Sequence, residues 1–360
     1  MANVLFKGPI YNNSGYAQLR NLCFHLSKHN NVRIEPYKTS NPVKILNHNE
    51  ISDLEKTILD KKCITITTGI APQIRPDIDA SYNIAYSMFE TNVIPDNWIK
   101  FYNEFDEVWV PSTFCEKAFD RRSLKCVVRV VPFGINLETF SKCTKKCSSI
   151  FTFLSVGTWI DRKGWDILIN AYTSEFIGNF QVKLCIKTDE SIKTKEEMIK
   201  EYLTSNRTAN MPRILINTNK LDEDMMVDIY SEADCYISTS RGEAFGVPFL
   251  EAMSCGIPVI GGNFGGQTDF ISEKCGWFLS IKTLKQMSDR LCGINAAYKN
   301  LWFAEPDVKD VREMMRYAYE HRNEIKEKGE FAKLQAQNWT WKKSAEIANN
   351  RLSEIWSKIK

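Results

Sequence analysis

The chain has 360 residues, of which 43% are apolar and 25% are charged, and its formal net charge at pH 7 is +3. This length favours two domains, and the composition supplies enough apolar material for two hydrophobic cores. The two signs of charge are interspersed without a basic stripe, so a nucleic-acid partner is not expected.

Two features bear on where the protein works. No apolar run is long enough to span a membrane, although peripheral membrane contact stays open. The 11 cysteines are an odd number without a repeated spacing, and the amino end resembles a first strand rather than a signal peptide. We therefore expect a reducing, cytoplasmic compartment, with membrane association left open.

The first half of the chain alternates short apolar runs with helical stretches. The run NVLFKG predicts a strand, PIYNNSG has turn chemistry, and Leu19, Leu22, Cys23 and Leu26 then have helical spacing. Further strand-like runs are CITITTG, NIAYSMF, EVWVPS and VVRVVPFG. This alternation predicts a mostly parallel sheet that is covered by helices on both faces.

The same pattern restarts in the second half. IFTFLSVG reads as a strand, TWIDRK as a loop and GWDILINAY as a helix, and VKLCIKT, PRILINT, ADCYISTS and IPVIGG supply more strands. The predicted fold is α/β, with a first domain over residues 1–145 and a second over residues 146–340. The last helix, about 341–360, is free to return to the first domain. Ligands of such sheets bind where strands end and loops enter helices.

The stretch RGEAFGVPFLEAMSCGIPVIGG contains the most informative of these loops. Glu243 and Glu251 lie in it with seven residues between them. Pro248 suits the first position of a helix, and Gly246 permits close approach to the backbone. We expect Glu243 just before this helix and Glu251 in its first turn, next to free amides that attract an anion. The alternative is that Glu251 only complements the helix dipole and that Glu243 is solvated.

The wider sequence favours a shared ligand. EAFGVPFLEAMSCGIPVI, followed by the glycines at 265 and 266, resembles the E-x7-E signature of retaining glycosyltransferases of family 4. That family has the GT-B fold, in which two Rossmann-like doubly wound domains face each other across an inter-domain cleft. The segments YSMFETNVIPDNWIKFYNEFDEVWVPS and VVRVVPFGIN resemble one subset of it. The resemblance covers residue 1 to about 280, together with the closing helix.

A second loop, in FLSVGTWIDRKGWDILINAY, resembles the family's phosphate-gripping segment. The resemblance places Lys163 at a helix start, where its charge meets the donor diphosphate, with Arg162 beside it. Many members have an arginine after the first glycine, but this chain has Thr158. Arg162 is therefore a candidate substitute.

The resemblance also implies roles for the other site residues. Glu243 and Lys163 are the catalytic candidates, with Glu243 near the donor sugar and Glu251 on the ribose. Acceptor-side candidates are Ser14 and Glu90. Further donor-binding candidates are Gly15, Arg162, Leu221, Ala244, Phe245, Gly246 and Val247.

The sequence departs from the family pattern at one further point, and two rival interpretations can be set aside. Many members carry a histidine near the reacting sugar, but none of the four histidines here falls in the expected loop, near residues 87–92. Asp77 and Asp79 match a metal-binding D-x-D, but they stand in a proline-rich loop, so no metal site is expected. The absence of G-x-G-x-x-G disfavours a dehydrogenase.

The resemblance implies a hexosyltransferase-type enzyme. Its activity would be metal-independent, retaining transfer of a sugar from a nucleotide-diphosphate sugar, without a cofactor. The acceptor is a glycan, a lipid or a protein. Two alternatives stay open: another GT-B enzyme, such as a nucleotide-sugar epimerase, or a non-catalytic sugar-binding descendant.

Overall fold

The computed structural model describes residues 1–11, 15–38, 48–60, 62–120, 122–146, 148–190, 193–194, 196–198, 210–286 and 298–360. They form two compact units. The first unit comprises Met1–Gly134 and Trp339–Lys360, and the second comprises Ile135–Asn338. Residues 135–145, which the sequence analysis assigned to the first domain, group with the second unit.

The first unit contains a six-stranded sheet in the order β2-β1-β3-β4-β5-β6, and all of its strands are parallel. Its strands are β1 (Asn3–Gly8), β2 (Asn31–Pro36), β3 (Ile64–Thr68), β4 (Tyr82–Tyr86), β5 (Glu107–Val110) and β6 (Val127–Val130). Its helices are α1 (Leu19–Ser27), α2 (His48–Leu54), α3 (Ile99–Tyr102) and α4 (Thr113–Phe119), with 3-10 turns at Gly15–Gln18 and Asp96–Trp98.

The closing helix, which we number α11 (Trp341–Ile359), belongs to this first unit and packs on α1. It begins where the Thr340 side chain accepts a hydrogen bond from the Lys343 amide, a normal N-cap. Arg351 reaches from it to Glu107 at the start of β5, with 2.6 Å between Arg351 Nη2 and Glu107 Oε2. The chain therefore returns to the first unit through both apolar packing and a buried ion pair.

The second unit contains another six-stranded parallel sheet, in the order β12-β11-β10-β7-β8-β9. Counted from its first strand, this is the order 6-5-4-1-2-3 of a Rossmann fold. Its strands are β7 (Phe151–Val156), β8 (Val182–Lys187), β9 (Arg213–Asn217), β10 (Cys235–Ser238), β11 (Val259–Gly262) and β12 (Gly276–Leu279). Its helices are α5 (Leu137–Phe140), α6 (Trp165–Glu175), α7 (Glu223–Ser231), α8 (Val247–Ser254), α9 (Val308–Glu320) and α10 (Arg322–Ala336), with 3-10 turns at Asp161–Lys163 and Gly266–Asp269.

A small antiparallel hairpin of β13 (Thr283–Gln286) and β14 (Trp302–Glu305) follows the second large sheet. It is tied to the loop after β10, because the Ala304 amide donates to the Arg241 carbonyl at 2.9 Å and Arg241 Nε lies 2.7 Å from Glu305 Oε2. The hairpin thus braces a loop that carries site residues.

The apolar patterns explain the layers. On one face of the second sheet, side chains such as Phe153 and Leu184 form a core with Leu168 of α6 and Met315 of α9, and all four are fully buried. The strand-like runs quoted above contain nine of the strands in addition to β1, but β2 and β12 to β14 were not predicted. Among the described residues, no helix is long and apolar enough to cross a membrane.

Candidate functional site

The order of the second sheet brings two loops together. β7 and β10 are neighbouring parallel strands, and the sheet's strand order reverses between them. The loops that leave their carboxyl ends, residues 157–164 and 239–246, therefore begin side by side at the switch point where Rossmann-like folds bind ligands.

Backbone contacts fix these two loops to each other. The Arg241 amide donates to the Arg162 carbonyl at 2.7 Å, and Thr239 Oγ1 donates to the Gly164 carbonyl at 2.8 Å. Gly164 has a φ of 69°, and a Cβ on it would lie 2.2 Å from the Thr239 carbonyl oxygen. Only glycine fits this contact, which explains the Lys-Gly pair in the sequence.

Three charged side chains meet where the loops touch. Lys163 Nζ lies 2.5 Å from Glu243 Oε1, and Arg162 Nη1 lies 3.5 Å from Glu243 Oε2. Arg162 also donates to the Gly242 carbonyl. Glu243 is 8% exposed, so it is not solvated in the way that the alternative interpretation required. The cluster joins residues 80 apart in sequence.

The two cations control the charge state of Glu243. Burial alone would raise the pKa of this carboxyl, but the charges of Lys163 and Arg162 and the Lys163 hydrogen bond outweigh it, so the pKa is lowered. Glu243 is therefore an anion at neutral pH. Such a carboxylate accepts hydrogen bonds from hydroxyl groups, and the ammonium beside it attracts phosphate.

A stacked pair of tryptophans supports the first loop. The rings of Trp159 and Trp165 are 5.2 Å apart between centroids and 12° from parallel, and both residues are 2% exposed. Trp165 Nε1 donates to the Thr158 carbonyl at 3.1 Å, and Thr158 Oγ1 donates to Asp189 Oδ2 at 3.3 Å. The hydroxyl of Thr158 thus anchors the loop, at the position where the resemblance to family 4 implied an arginine.

Helix α8 begins at Val247, after Gly246 in the left-handed conformation with a φ of 95°. Pro248 is its second residue, one position later than the first helical position that the sequence predicted. The prediction that Glu251 lies in the first turn was wrong: Glu251 is one turn further along, because Gly246 rather than Pro248 ends the loop. Its backbone is therefore not part of the free amide edge, which belongs to the residues at the start of the helix.

Glu251 is held by a residue that the sequence analysis missed. Tyr230 of α7 donates from its hydroxyl to Glu251 Oε2 at 2.7 Å and also contacts the Pro248 carbonyl at 3.3 Å. Burial raises the pKa of Glu251 to about 7, although the Tyr230 hydrogen bond lowers it. A carboxyl group that titrates near neutrality is common at functional sites. No pattern in the run DIYSEADCY indicated this partnership.

The remaining donor-binding candidates of the second unit lie in two places. Ala244 and Phe245 are buried between Glu243 and α8, and Val247 is the first residue of that helix. The Gly266 amide donates to the Glu243 carbonyl at 2.8 Å and holds this segment in place. Leu221 is partly buried and directly precedes Asp222, the N-cap of α7.

The first-unit candidates are described within that unit alone. Gly15 opens the 3-10 turn that leads into α1, and a Cβ on it would meet Met88 Sδ at 3.6 Å. Glu90 is partly buried in the bend after β4. Ser14 lies outside the described residues. Asp77, of the dismissed D-x-D, pairs with Lys7 at 2.7 Å.

Residues 142–292 match the family model described as Glycosyl transferases group 1. A curated relative, the serotype-specific mannosyltransferase WbdA of Escherichia coli, is 25% identical over 199 residues, which are 54% of this chain and 21% of that protein. The chain thus spans about a fifth of the length of this relative. These matches support a glycosyltransferase group 1 domain in the second unit.

Several solved structures resemble the whole chain, among them the following two. Sucrose-phosphate synthase from Thermosynechococcus elongatus superposes with a TM-score of 0.70 at 15% identity, over 99% of this chain and 100% of that one. Anabaena Alr3699/HepE in complex with UDP-glucose gives a TM-score of 0.63 at 13% identity, over 98% and 100%. With the two six-stranded parallel sheets, these likenesses confirm the predicted GT-B fold class.

Together, the family match and the relatives support the prediction of a hexosyltransferase-type enzyme. The narrower assignment to family 4 and its E-x7-E signature stays a prediction from the sequence.

Proposed function

We propose that this protein transfers a hexosyl group from a nucleotide-diphosphate sugar to an acceptor hydroxyl, with retention of anomeric configuration and without a metal ion. The observation that carries this proposal is the Lys163–Glu243 contact of 2.5 Å at the switch point of the second sheet. It supports the proposal because a cation and a carboxylate side by side suit one molecule that carries both a diphosphate and sugar hydroxyls. The solved relative with UDP-glucose supports the donor class.

The chemistry that these residues supply is electrostatic. When the bond between the anomeric carbon and the β-phosphate oxygen breaks, negative charge collects on the leaving nucleoside diphosphate. Lys163, Arg162 and the free amides at the start of α8 stabilise this charge in place of a metal ion. Glu243 accepts hydrogen bonds from the donor sugar and stabilises positive charge at its anomeric carbon.

The remaining atoms balance without a covalent enzyme intermediate. The acceptor oxygen bonds to the anomeric carbon on the face that the phosphate leaves, and the acceptor proton passes to the departing phosphate oxygen. Glu251, held by Tyr230, accepts hydrogen bonds from the donor ribose. The acceptor belongs to the glycan, lipid or protein class, and peripheral membrane contact is part of the lipid hypothesis.

The test begins with thermal unfolding in the presence of UDP, GDP, ADP and their glucose and mannose derivatives, because a specific ligand raises the unfolding temperature. Donor turnover is then measured with the derivative that binds. We expect Lys163→Ala and Glu251→Ala each to reduce donor binding or turnover at least ~100-fold, the usual loss for one transition-state electrostatic contact.

The control is Lys183→Ala. Lys183 is on β8 of the same sheet, and its Nζ lies 3.7 Å from Glu232 Oε2. Near-normal turnover in both site variants would contradict the proposal. Conversion of the donor in the absence of any acceptor would indicate an epimerase, and ligand-induced stabilisation without turnover would indicate a sugar-binding descendant.

A further inference from the structure

Lys187 is a buried cation that has no role in the proposed mechanism. It is the last residue of β8 and is 9% exposed. Its Nζ donates to the Thr188 carbonyl at 2.5 Å, so the ammonium lies at the carboxyl edge of the second sheet. This is the edge from which the Lys163 loop and the Glu243 loop also leave.

The surroundings of Lys187 leave its charge unbalanced. Within the described part of the chain, no carboxylate forms an ion pair with its ammonium. Asp189 attracts it only at longer range and accepts a hydrogen bond from Thr158 instead. Burial therefore lowers the pKa of Lys187. Lys183, four residues earlier on the same strand, does have a carboxylate partner in Glu232 at 3.7 Å.

A second polar group beside Lys187 also lacks a partner. Thr188 is 3% exposed, and among the residues that the structure describes its Oγ1 has no hydrogen-bond partner. A buried hydroxyl without a partner and a buried ammonium with only one carbonyl partner both destabilise the unliganded protein. A ligand that accepts hydrogen bonds and carries negative charge would satisfy both groups at once.

Gly157 connects this pair to the proposed donor site. Its amide donates to the Lys187 carbonyl at 3.0 Å, while a Cβ on Gly157 would lie 3.1 Å from Lys163 Cε. The stem of Lys163 and the backbone of Lys187 therefore flank the same glycine. Both residues are thus anchored beside one glycine at the carboxyl edge of the sheet.

We propose that Lys187 and Thr188 form a second anchor for the diphosphate of the nucleotide donor, next to Lys163. This inference rests on the proposed function and specifies which further side chains hold the donor. Binding removes the ammonium from its single carbonyl partner and gives it a charge-assisted hydrogen bond to a phosphate oxygen. The Thr188 hydroxyl donates to the same diphosphate.

The experiment measures the affinity of the wild type and the variants for whichever of UDP, GDP and ADP binds most tightly, and for the corresponding nucleoside. Lys187→Met removes the charge and keeps the length of the side chain, while Lys187→Arg keeps the charge. Lys183→Met is the matched control on the same face of β8. The unfolding temperature of each unliganded variant is measured in parallel.

We expect Lys187→Met to weaken diphosphate binding by roughly 10-fold to 100-fold and to change nucleoside binding less than about 2-fold, the range of one charge-assisted hydrogen bond. Lys187→Arg should recover much of the affinity, Thr188→Val should lose roughly 3-fold, and Lys183→Met should bind like the wild type. Unliganded Lys187→Met should unfold at the wild-type temperature or above, because it removes an uncompensated buried charge.

Two results would overturn this inference while the proposed function stands: wild-type affinity of Lys187→Met for the diphosphate, or an equal loss for the nucleoside and the diphosphate. A lower unfolding temperature with unchanged affinity would assign Lys187 a purely structural role. If the wild type binds none of the three diphosphates, the proposed function fails, and the inference fails with it.

Discussion

The hydroxyl of Tyr230 donates to the carboxylate of Glu251 across 2.7 Å, and this contact joins the helices α7 and α8. Tyr230 is fully buried, and its ring packs edge-on against Phe140 at 6.0 Å between centroids. Glu251 is consequently fixed in position before any ligand binds. Burial also makes the ionised form of Glu251 unfavourable. The side chain is therefore already positioned for a ligand, but its ionised form lowers the stability of the folded protein.

That cost predicts a pH dependence. The pKa of Glu251 is raised from 4.5 to about 7, so between these values the folded chain keeps a proton that the unfolded chain releases. The stabilising contribution of the protonated group is full below the unfolded pKa and is lost as the pH rises through the folded pKa. We expect Glu251→Gln to unfold at a higher temperature than the wild type at about pH 8, with the difference shrinking towards about pH 5.

Thermal unfolding across this pH range measures the effect. Glu346→Gln, at an exposed glutamate of α11, is the control and should follow the wild-type curve at every pH. A constant difference between Glu251→Gln and the wild type from acid to alkaline pH would show that Glu251 does not titrate near neutrality.

The Lys163–Glu243 ion pair predicts that the effects of Lys163→Met and Glu243→Gln on the free energy of unfolding are strongly coupled. Lys163→Met leaves a carboxylate that is 8% exposed and whose remaining cationic partner, among the described residues, is the more distant Arg162. Breaking a buried pair from one side costs about 3 kcal/mol, whereas removing both charges costs less. The free energy of unfolding of Lys163→Met/Glu243→Gln should therefore exceed the value expected from adding the two single changes by at least about 1 kcal/mol.

Denaturant unfolding of the four proteins in this cycle gives the coupling energy. The pair Lys309–Glu313, at 3.6 Å on the exposed face of α9, provides a matched cycle and should show coupling below about 0.5 kcal/mol. Equal coupling in the two cycles would mean that burial adds nothing to the Lys163–Glu243 contact.

The local parts of this fold were readable from sequence because short-range chemistry determines them. Alternating strand and helix patterns located most strands of both sheets. The combination of Gly246 and Pro248 located α8 but not its first turn, since a glycine with a φ of 95° ends the loop before the proline. The runs of β2 and β12 were not recognised.

The contacts of the site depend on strand order, which local patterns do not encode. Lys163 and Glu243 are 80 residues apart and meet because β7 and β10 are neighbours. Tyr230 and Glu251 meet because α7 and α8 both pack on α5. The resemblance to a known family selected the right loops, but the buried state of Lys187 required the three-dimensional arrangement.

The segment 244–266 predicts a contrast between two glycines. A Cβ on Gly266 would lie 2.2 Å from the Ala244 carbonyl oxygen and 2.7 Å from Phe245 Cα, so the backbone beside Glu243 would have to move. The nearest atom to a Cβ on Gly262 would be Ile281 Cδ1, at an ordinary 3.4 Å. We expect Gly266→Ala to reduce donor binding at least ~10-fold, because small displacements of positioned groups weaken a site strongly. Gly262→Ala should stay within about 3-fold of the wild type. Equal affinities in calorimetric titration would contradict this role of Gly266.

The contact between the closing helix and β5 predicts that the stability of the first unit depends on Arg351. Glu107 is fully buried and receives Arg351 at 2.6 Å, Arg129 at 3.0 Å and Trp109 Nε1 at 2.7 Å. Arg351→Met removes one of two cationic partners, so we expect a loss of about 2 kcal/mol in the free energy of unfolding and faster amide hydrogen exchange in α11. Lys342→Met, at an exposed position of the same helix, should change neither quantity. If amide hydrogen exchange in α11 of Arg351→Met is unchanged, apolar packing alone holds this helix. Arg129 would then be sufficient to balance the buried charge of Glu107.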